Sequence, residues 1–222
     1  KYNDAQSMTF NISVSDSGAG PHYCSINVDG ETNQTLAVSS GWCNGTYALT
    51  GIADGNKTIN AYGNDSANNW ALNNSYVVWI DSTPPTVTLP VYTNLTAKKS
   101  SDNLLINASI TDSGVGASYC SINVATATAS NITLVVSSGW CNASYSLAGT
   151  LEGNQIINVY SNDSLGNTAL NNSYSVKIDN TAPTITLPFY TNATQKQNTD
   201  TLTLNISVTD ATSGVNACTV NI

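Results

Sequence analysis

Three kinds of residue in this 222-residue chain have types and spacings that could do chemistry: five cysteines, three aspartates at loop positions, and a dense set of Asn-x-Ser/Thr tripeptides. Cys24 and Cys43 are 19 positions apart, Cys120 and Cys141 are 21 apart, and Cys218 follows alone. The two similar pairs predict two disulfides, Cys24–Cys43 and Cys120–Cys141. Closing a loop of that length contributes on the order of 3 kcal/mol. Buried free thiols are the alternative. A zinc centre needs further soft ligands, and the single histidine, His22, is replaced by Ser118 in the second copy of its segment. Disulfides imply an oxidising compartment.

The tripeptides fall at Asn11, Asn33, Asn44, Asn56, Asn64, Asn73, Asn94, Asn107, Asn131, Asn142, Asn162, Asn171, Asn192 and Asn205. Each is an acceptor sequence for an N-glycan. The 30 asparagines of the chain, placed at random, would give roughly 7 or 8 such sites. The excess predicts covalent N-glycans. A polar strand composition that generates sequons passively is the competing explanation.

Catalytic machinery is not legible. His22 is alone, and Glu31 and Glu152 have no glutamate at equivalent positions. Gly18–Gly20 and Gly114–Gly116 fall in a strand-to-strand turn, which is not the context of a phosphate loop. No nucleophile elbow or zinc motif occurs. The chain is expected not to be an enzyme and to require no cofactor. It has no arginine, six lysines and a net charge of −8, which argues against nucleic acid as a partner, since that needs clustered cations. No apolar run approaches the roughly 20 residues of a membrane span.

The elements that must position these groups are set by an internal repeat. Tyr23-Cys24-Ser25-Ile26-Asn27-Val28 returns 96 positions later as Tyr119-Cys120-Ser121-Ile122-Asn123-Val124. Ser39–Asn44 returns 98 positions later as Ser137–Asn142, and Asp81–Pro90 as Asp179–Pro188. The sequons recur in the same register, except that Asn56 becomes Asn154 without one. A period near 98 residues is the size of one immunoglobulin-like domain. The expected division is 1–81, a first repeat lacking strand A; 82–179, a complete repeat; and 180–222, the first three strands of a third. The partner of Cys218 is then expected beyond Ile222, and the chain is expected to be a window of a longer one.

Alternation predicts strands A at 85–91, B at 103–111, C at 117–125, C′ at 131–137, E at 141–148, F at 154–162 and G at 172–179. In strand B, Phe10, Ile12 and Val14 alternate with Asn11, Ser13 and Ser15. One face is therefore buried, and Asn11 with its copies Asn107 and Asn205 lies on the wet face. Cys120 shares the inward face with Ile122 and Val124, and Cys141 with Tyr145 and Leu147. Strands C and E belong to opposite sheets, so the bond crosses the core. No 3.6-residue period predicts a helix. The fold class is all-β: tandem immunoglobulin-like (fibronectin III-like) β-sandwiches.

The linker Asp81-Ser82-Thr83-Pro84-Pro85-Thr86 with its following strand, and Asn158–Thr168 with its F–G turn, resemble the Ig-like repeats of prokaryotic cell-surface proteins. The Asn-rich character resembles archaeal members. The resemblance implies an extracellular location, with neighbouring repeats or identical subunits as partners. Asp81, Asp112 and Asp163 sit at the start of A, the B–C turn and the F–G turn, all at one pole of such a sandwich. They could supply carboxylate oxygens to calcium, and related repeats stiffen their linkers that way. Asp capping its own turn is the alternative. The function these features imply is a structural segment of a filament, stalk or sheath. The alternatives are an adhesin whose recognition region lies elsewhere, or the spacer of a secreted enzyme.

Overall fold

A computed structural model describes residues 1–189 and 193–221. Every regular element in them is a β-strand. The first sandwich contains β1 (Ser7–Ser13), β2 (Pro21–Val28), β3 (Gln34–Leu36), β4 (Val38–Ser39), β5 (Trp42–Ala48), β6 (Gly55–Asp65) and β7 (Trp70–Ile80). The second contains β8 (Thr86–Thr88), β9 (Thr96–Lys98), β10 (Asn103–Thr111), β11 (Ala117–Val124), β12 (Ile132–Val135), β13 (Trp140–Ser146), β14 (Gly153–Asp163) and β15 (Thr168–Ile178). A short antiparallel pair follows, β16 (Thr184–Thr186) and β17 (Ser207–Thr209).

In the second sandwich one sheet has the order β13-β10-β8 and the other β12-β11-β14-β15-β9. The inward residues of β10, Leu104, Ile106, Ala108 and Ile110, are all at most 2% exposed. They meet Cys120, Ile122 and Val124 of the facing sheet and Tyr145 and Leu147 of their own. The Tyr145 hydroxyl, carried into the core by its ring, donates to the Ala129 carbonyl at 2.8 Å. That satisfies the one polar atom the side chain brings inside.

The expected strand A is broken in two. β8 pairs antiparallel with β10, and β9 pairs parallel with β15 in the other sheet. Pro90 lies between them in the crossing, where no ladder donor is needed. β9 escaped the sequence because Thr96-Ala97-Lys98 has no alternating apolar residues. The G strand begins at Thr168, four residues before the expected 172, because Asp163–Asn167 closes a tight turn directly onto it.

The first sandwich repeats this plan with sheets β1-β5-β4 and β3-β2-β6-β7. No strand corresponding to β8 occurs in it among the described residues, and a bridge from Tyr2 to Ile80 stands where β9 meets β15. The consequence is visible in burial. Ile106, Ala108 and Ile110 are buried, but their counterparts Phe10, Ile12 and Val14 are only partly so. These three, with Ile59, Leu72 and Val77, line an open groove of about 730 Å3.

Among the described residues of 180–222, two of the three expected strands are present in shortened form. β16 and β17 are three residues each, and no third strand is present among the described residues. Ile185 of β16 and the following Leu187 stay exposed, and Val208 of β17 is half-buried. A two-stranded ribbon without a second sheet to pack on has little to hold it.

Candidate metal centre and inter-sandwich joint

Asp81 follows β7, Asp112 follows β10, and Asp163 ends β14. Three elements distant in sequence thus deliver one carboxylate each to one pole of the second sandwich. One oxygen from each lies within 4.8 Å of the others. Asp81 and Asp163 are 1% and 2% exposed, so the charges sit together out of water. Among the described residues the ion pair Lys57–Asp29 lies elsewhere, and no lysine answers the cluster.

Each carboxylate also organises backbone. Asp112 Oδ1 accepts the amides of Gly114 and Gly116 at 2.7 and 3.1 Å. Asp163 Oδ1 accepts those of Leu165 and Asn167 at 2.8 and 2.9 Å. Asp81 accepts the amides of Thr83 and Val115. The turn-capping explanation is therefore met in full, yet it leaves one atom over. Asp112 Oδ2 is buried with no hydrogen-bond partner, which is costly for a charged oxygen unless a cation faces it. A hard cation with several oxygen ligands fits that set. A Cβ built on Gly114 would run into the Asp81 carboxylate, so the turn must be bare there. Gly116 and its copies Gly20 and Gly214 have φ between +80° and +88°, a conformation that favours glycine.

Half of this arrangement recurs 98 positions on. Asp179 accepts the amides of Thr181 and Ser213, as Asp81 does those of Thr83 and Val115. Asp210 Oδ1 accepts the amides of Thr212 and Gly214. The Ser213 and Thr181 donors hold the Asp179 carboxyl below the usual carboxylate range. In the first sandwich Asp16 and Asp65 cap the corresponding turns. The Asn69 side chain and amide hold Asp65 below the usual range.

A second set of contacts at the joints was not legible. Asp54 accepts the Ser82 amide and the Thr83 hydroxyl. At the equivalent place Glu152 accepts the hydroxyls of Thr181 and Thr212 at 2.9 and 3.0 Å. Residues 54 and 152 are 98 apart and both acidic, but matching residue by identity hid the correspondence of Asp with Glu. Asn3 Nδ2 reaches the Leu165 carbonyl at 3.1 Å, and Ser82 Oγ accepts the Asp4 amide at 2.9 Å.

Cys120 and Cys141 are joined by a disulfide between the two sheets of the second sandwich. The bridge expected between Cys24 and Cys43 is not formed. Both are free, buried thiols of one apolar cluster. They stand side by side as thiols, and joining them needs an oxidant. Burial, reinforced by Cys43, pushes the Cys24 thiol up to about 12. Cys218 is free and exposed.

The sequon asparagines divide by what their amides do. Asn11 faces Asn44, and Asn107 faces Asn142, on the outer side of paired strands. None of the four uses its side chain in a hydrogen bond. Asn33 and Asn131 end amide ladders: Asn60 donates to Asn27 and Asn27 to Asn33, as Asn158 does to Asn123 and Asn123 to Asn131. Asn94 Oδ1 accepts the Leu95 and Ser175 amides. Asn73 Oδ1 accepts the amide and hydroxyl of Ser75. Asn171 does the same with Ser173, but its Nδ2 donates to the Val87 carbonyl at 2.8 Å. Asn64 and Asn162 are half-buried, with Oδ1 atoms that have no partner. Asn56 and Asn205 are exposed, and Asn192 lies outside the described residues.

The geometry defines the class: an all-β protein of immunoglobulin-like sandwiches. Residues 139–221 match the family model for the bacterial Ig-like domain (group 3), running from the start of β13 across the second joint. No curated protein matches the sequence. Among solved structures the chain is similar to a calcium-stabilised adhesin with which an Antarctic bacterium binds ice (16% identity, TM-score 0.41, covering 83% of this chain and 48% of that one). It is also similar to dimeric latent PorU of Porphyromonas gingivalis (14%, 0.31, 82% and 23%) and to a Salmonella alpha-2-macroglobulin mutant (12%, 0.31, 91% and 16%). The chain thus spans about half of the adhesin and under a quarter of the others. Nothing in these matches favours an archaeal over a bacterial setting. Among the described residues no helix is long and apolar enough to cross a membrane.

Proposed function

We propose that this chain is a non-catalytic structural segment of an extracellular surface protein, with a repeat unit of 82–179 set end to end in a stalk or filament. The observation that carries the proposal is the repetition of the joint. Asp81–Val115 and Asp54–Thr83 at the first joint correspond to Asp179–Ser213 and Glu152–Thr181 at the second. A flexible linker has no reason to repeat its side-chain contacts in register, whereas a spacer of fixed geometry does. Neighbouring repeats, or identical subunits, are then the partners.

Calcium at Asp81, Asp112 and Asp163 belongs to this proposal. Bound there, the ion would neutralise three crowded carboxylates and tie the outgoing end of one sandwich to two turns of the next. N-glycans at the exposed sequons belong to it too. They would solubilise a chain of which only 9% of the residues are charged. Oxidation of Cys24 and Cys43 outside the cell would give the first sandwich the bridge that the second has.

The test is the shape of the chain in solution. Small-angle scattering with calcium should give a rod that lengthens by about 3–4 nm per repeat, the span of an 11-residue strand. Scattering that fits freely jointed domains would overturn it. Regular filaments of native material under the electron microscope favour the structural role, and isolated spikes with a distinct tip favour adhesion.

A further inference from the structure

Trp42 and Trp140 occupy the same place in the two sandwiches, at the first position of β5 and β13, and are 45% and 39% exposed. Burying an indole is worth several kcal/mol, so a tryptophan kept on the outer face of both copies needs a reason. Each stands two residues before a sequon asparagine, Asn44 and Asn142, with a buried cysteine between. In a strand, residues two apart share a face. Indole and acceptor amide therefore stand side by side on the outside of the sheet.

The cross-strand neighbours are polar, and Trp42 also borders the open groove of the first sandwich. Across the ladder Trp42 faces Ser13 and Asn44 faces Asn11; Trp140 faces Ser109 and Asn142 faces Asn107. The outward positions of β10 and β13 are otherwise Asn, Ser and Thr, except for Leu105. The side-chain amides of Asn44 and Asn142 make no hydrogen bond, so Nδ2, the atom that carries a glycan, is free. Asn171 is the contrast: its Nδ2 is engaged with Val87, and no aromatic residue stands two before it.

The spacing is not isolated. An aromatic residue stands two before six of the fourteen sequons: Trp42, Tyr62, Tyr92, Trp140, Tyr160 and Tyr190. At 8% aromatic residues, composition alone would give about one. The six are three positions per repeat, each kept in both copies. Tyr92 is excluded as a platform, because its hydroxyl donates to the Ser175 carbonyl and its ring packs edge-on against Tyr174.

We propose that Trp42 and Trp140 are platforms for the protein's own glycans, each indole stacking against the apolar C–H face of the first sugar on Asn44 or Asn142. The proposal rests on the N-glycosylation reading above. It adds which sites hold their sugar against the protein and why two tryptophans remain outside. Covering the rings would also remove the largest recurring apolar feature from the outer face of the β1/β5 and β10/β13 sheets.

The experiment uses the chain secreted from an N-glycosylating host, with Trp70→Phe and Trp79→Phe so that the remaining indoles report alone. Peptide mapping by mass spectrometry reads occupancy at Asn44 and Asn142. Acrylamide quenching is then compared before and after enzymatic removal of the sugar from the folded protein. The quenching constant should rise about twofold, because the outer face of each ring is uncovered. Nuclear Overhauser contacts between indole and sugar protons should be present before removal and absent after. Unoccupied Asn44 and Asn142 would overturn both this proposal and the glycosylation reading at these sites. Full occupancy with unchanged quenching and no contacts would overturn this proposal alone.

Discussion

The carboxylate of Glu152 accepts the hydroxyl of Thr181 at 2.9 Å, tying the loop before β14 to the linker that leaves the same sandwich. Asp54 and Thr83 make the equivalent contact at the first joint. These contacts restrain the direction in which the chain departs, and they are exposed, so they add little to the stability of either sandwich. Asp54→Ala and Glu152→Ala should each change unfolding free energy by no more than about 1 kcal/mol. Limited proteolysis within residues 82–86 or 180–184 should nevertheless accelerate. Unchanged cleavage in both variants would mean the carboxylates do not order the joint.

Calcium should raise the Tm of the second sandwich. At a free concentration a hundredfold above Kd the gain is about 2.7 kcal/mol. Asp112→Asn keeps an oxygen that can accept the Gly114 and Gly116 amides, replaces the unpartnered Oδ2 and removes one negative charge. In chelator it should match or exceed the wild type, because it relieves repulsion; in calcium it should fall below it. Calorimetry in calcium and in chelator reads the crossover, and a variant that ranks the same in both would remove the ion from the account.

Acid should weaken the second joint. The folded-state pKa of Asp179 lies below its unfolded value, chiefly through Ser213. The contribution is therefore fully present above the ordinary carboxylate range and is lost as pH falls through the lower, folded value. The Ser213 amide resonance should titrate with the Asp179 carboxyl, below the midpoint of an unperturbed aspartate. A midpoint at or above the usual range would contradict the hydrogen bond.

The cysteines predict an order of reactivity. In protein made under reducing conditions and then exposed to air only long enough to form the Cys120–Cys141 bond, Cys218 should label at once. Cys24 and Cys43 should label only on unfolding, since both are buried and Cys24 is held as a thiol up to about 12. Cys120→Ser with Cys141→Ser should cost the second sandwich on the order of 3 kcal/mol, measured by denaturant titration.

The two sandwiches should melt separately, the first at the lower temperature. In residues 1–80 the groove beside Phe10, Ile12 and Val14 is open, whereas Val87 and Leu89 of the second sandwich are 7% and 1% exposed and worth about 1.5–3 kcal/mol each when buried. Leu89→Ala should lower only the upper transition, by about 2–5 kcal/mol. A single cooperative transition would show that the joint couples the two more strongly than its hydrogen bonds suggest.

Much of the architecture follows from local rules that a sequence carries. Side chains alternate across a strand, so Leu104, Ile106, Ala108 and Ile110 declared their face, and the repeat fixed the register of every copy. The same alternation placed Cys120 and Cys141 on facing inner surfaces and Asn107 and Asn142 on the outside. What the tertiary structure decided depends on partners distant in the chain. The switch from β8 to β9 is made by pairing with β10 and then β15, and Thr96–Lys98 has no apolar pattern to announce it. The meeting of Asp81, Asp112 and Asp163 within 4.8 Å is set by how three loops converge at one pole. Among the described residues after Asp179 the alternation of strands is realised in β16 and β17, which pair with each other, because a strand is held by its neighbours rather than by its own pattern.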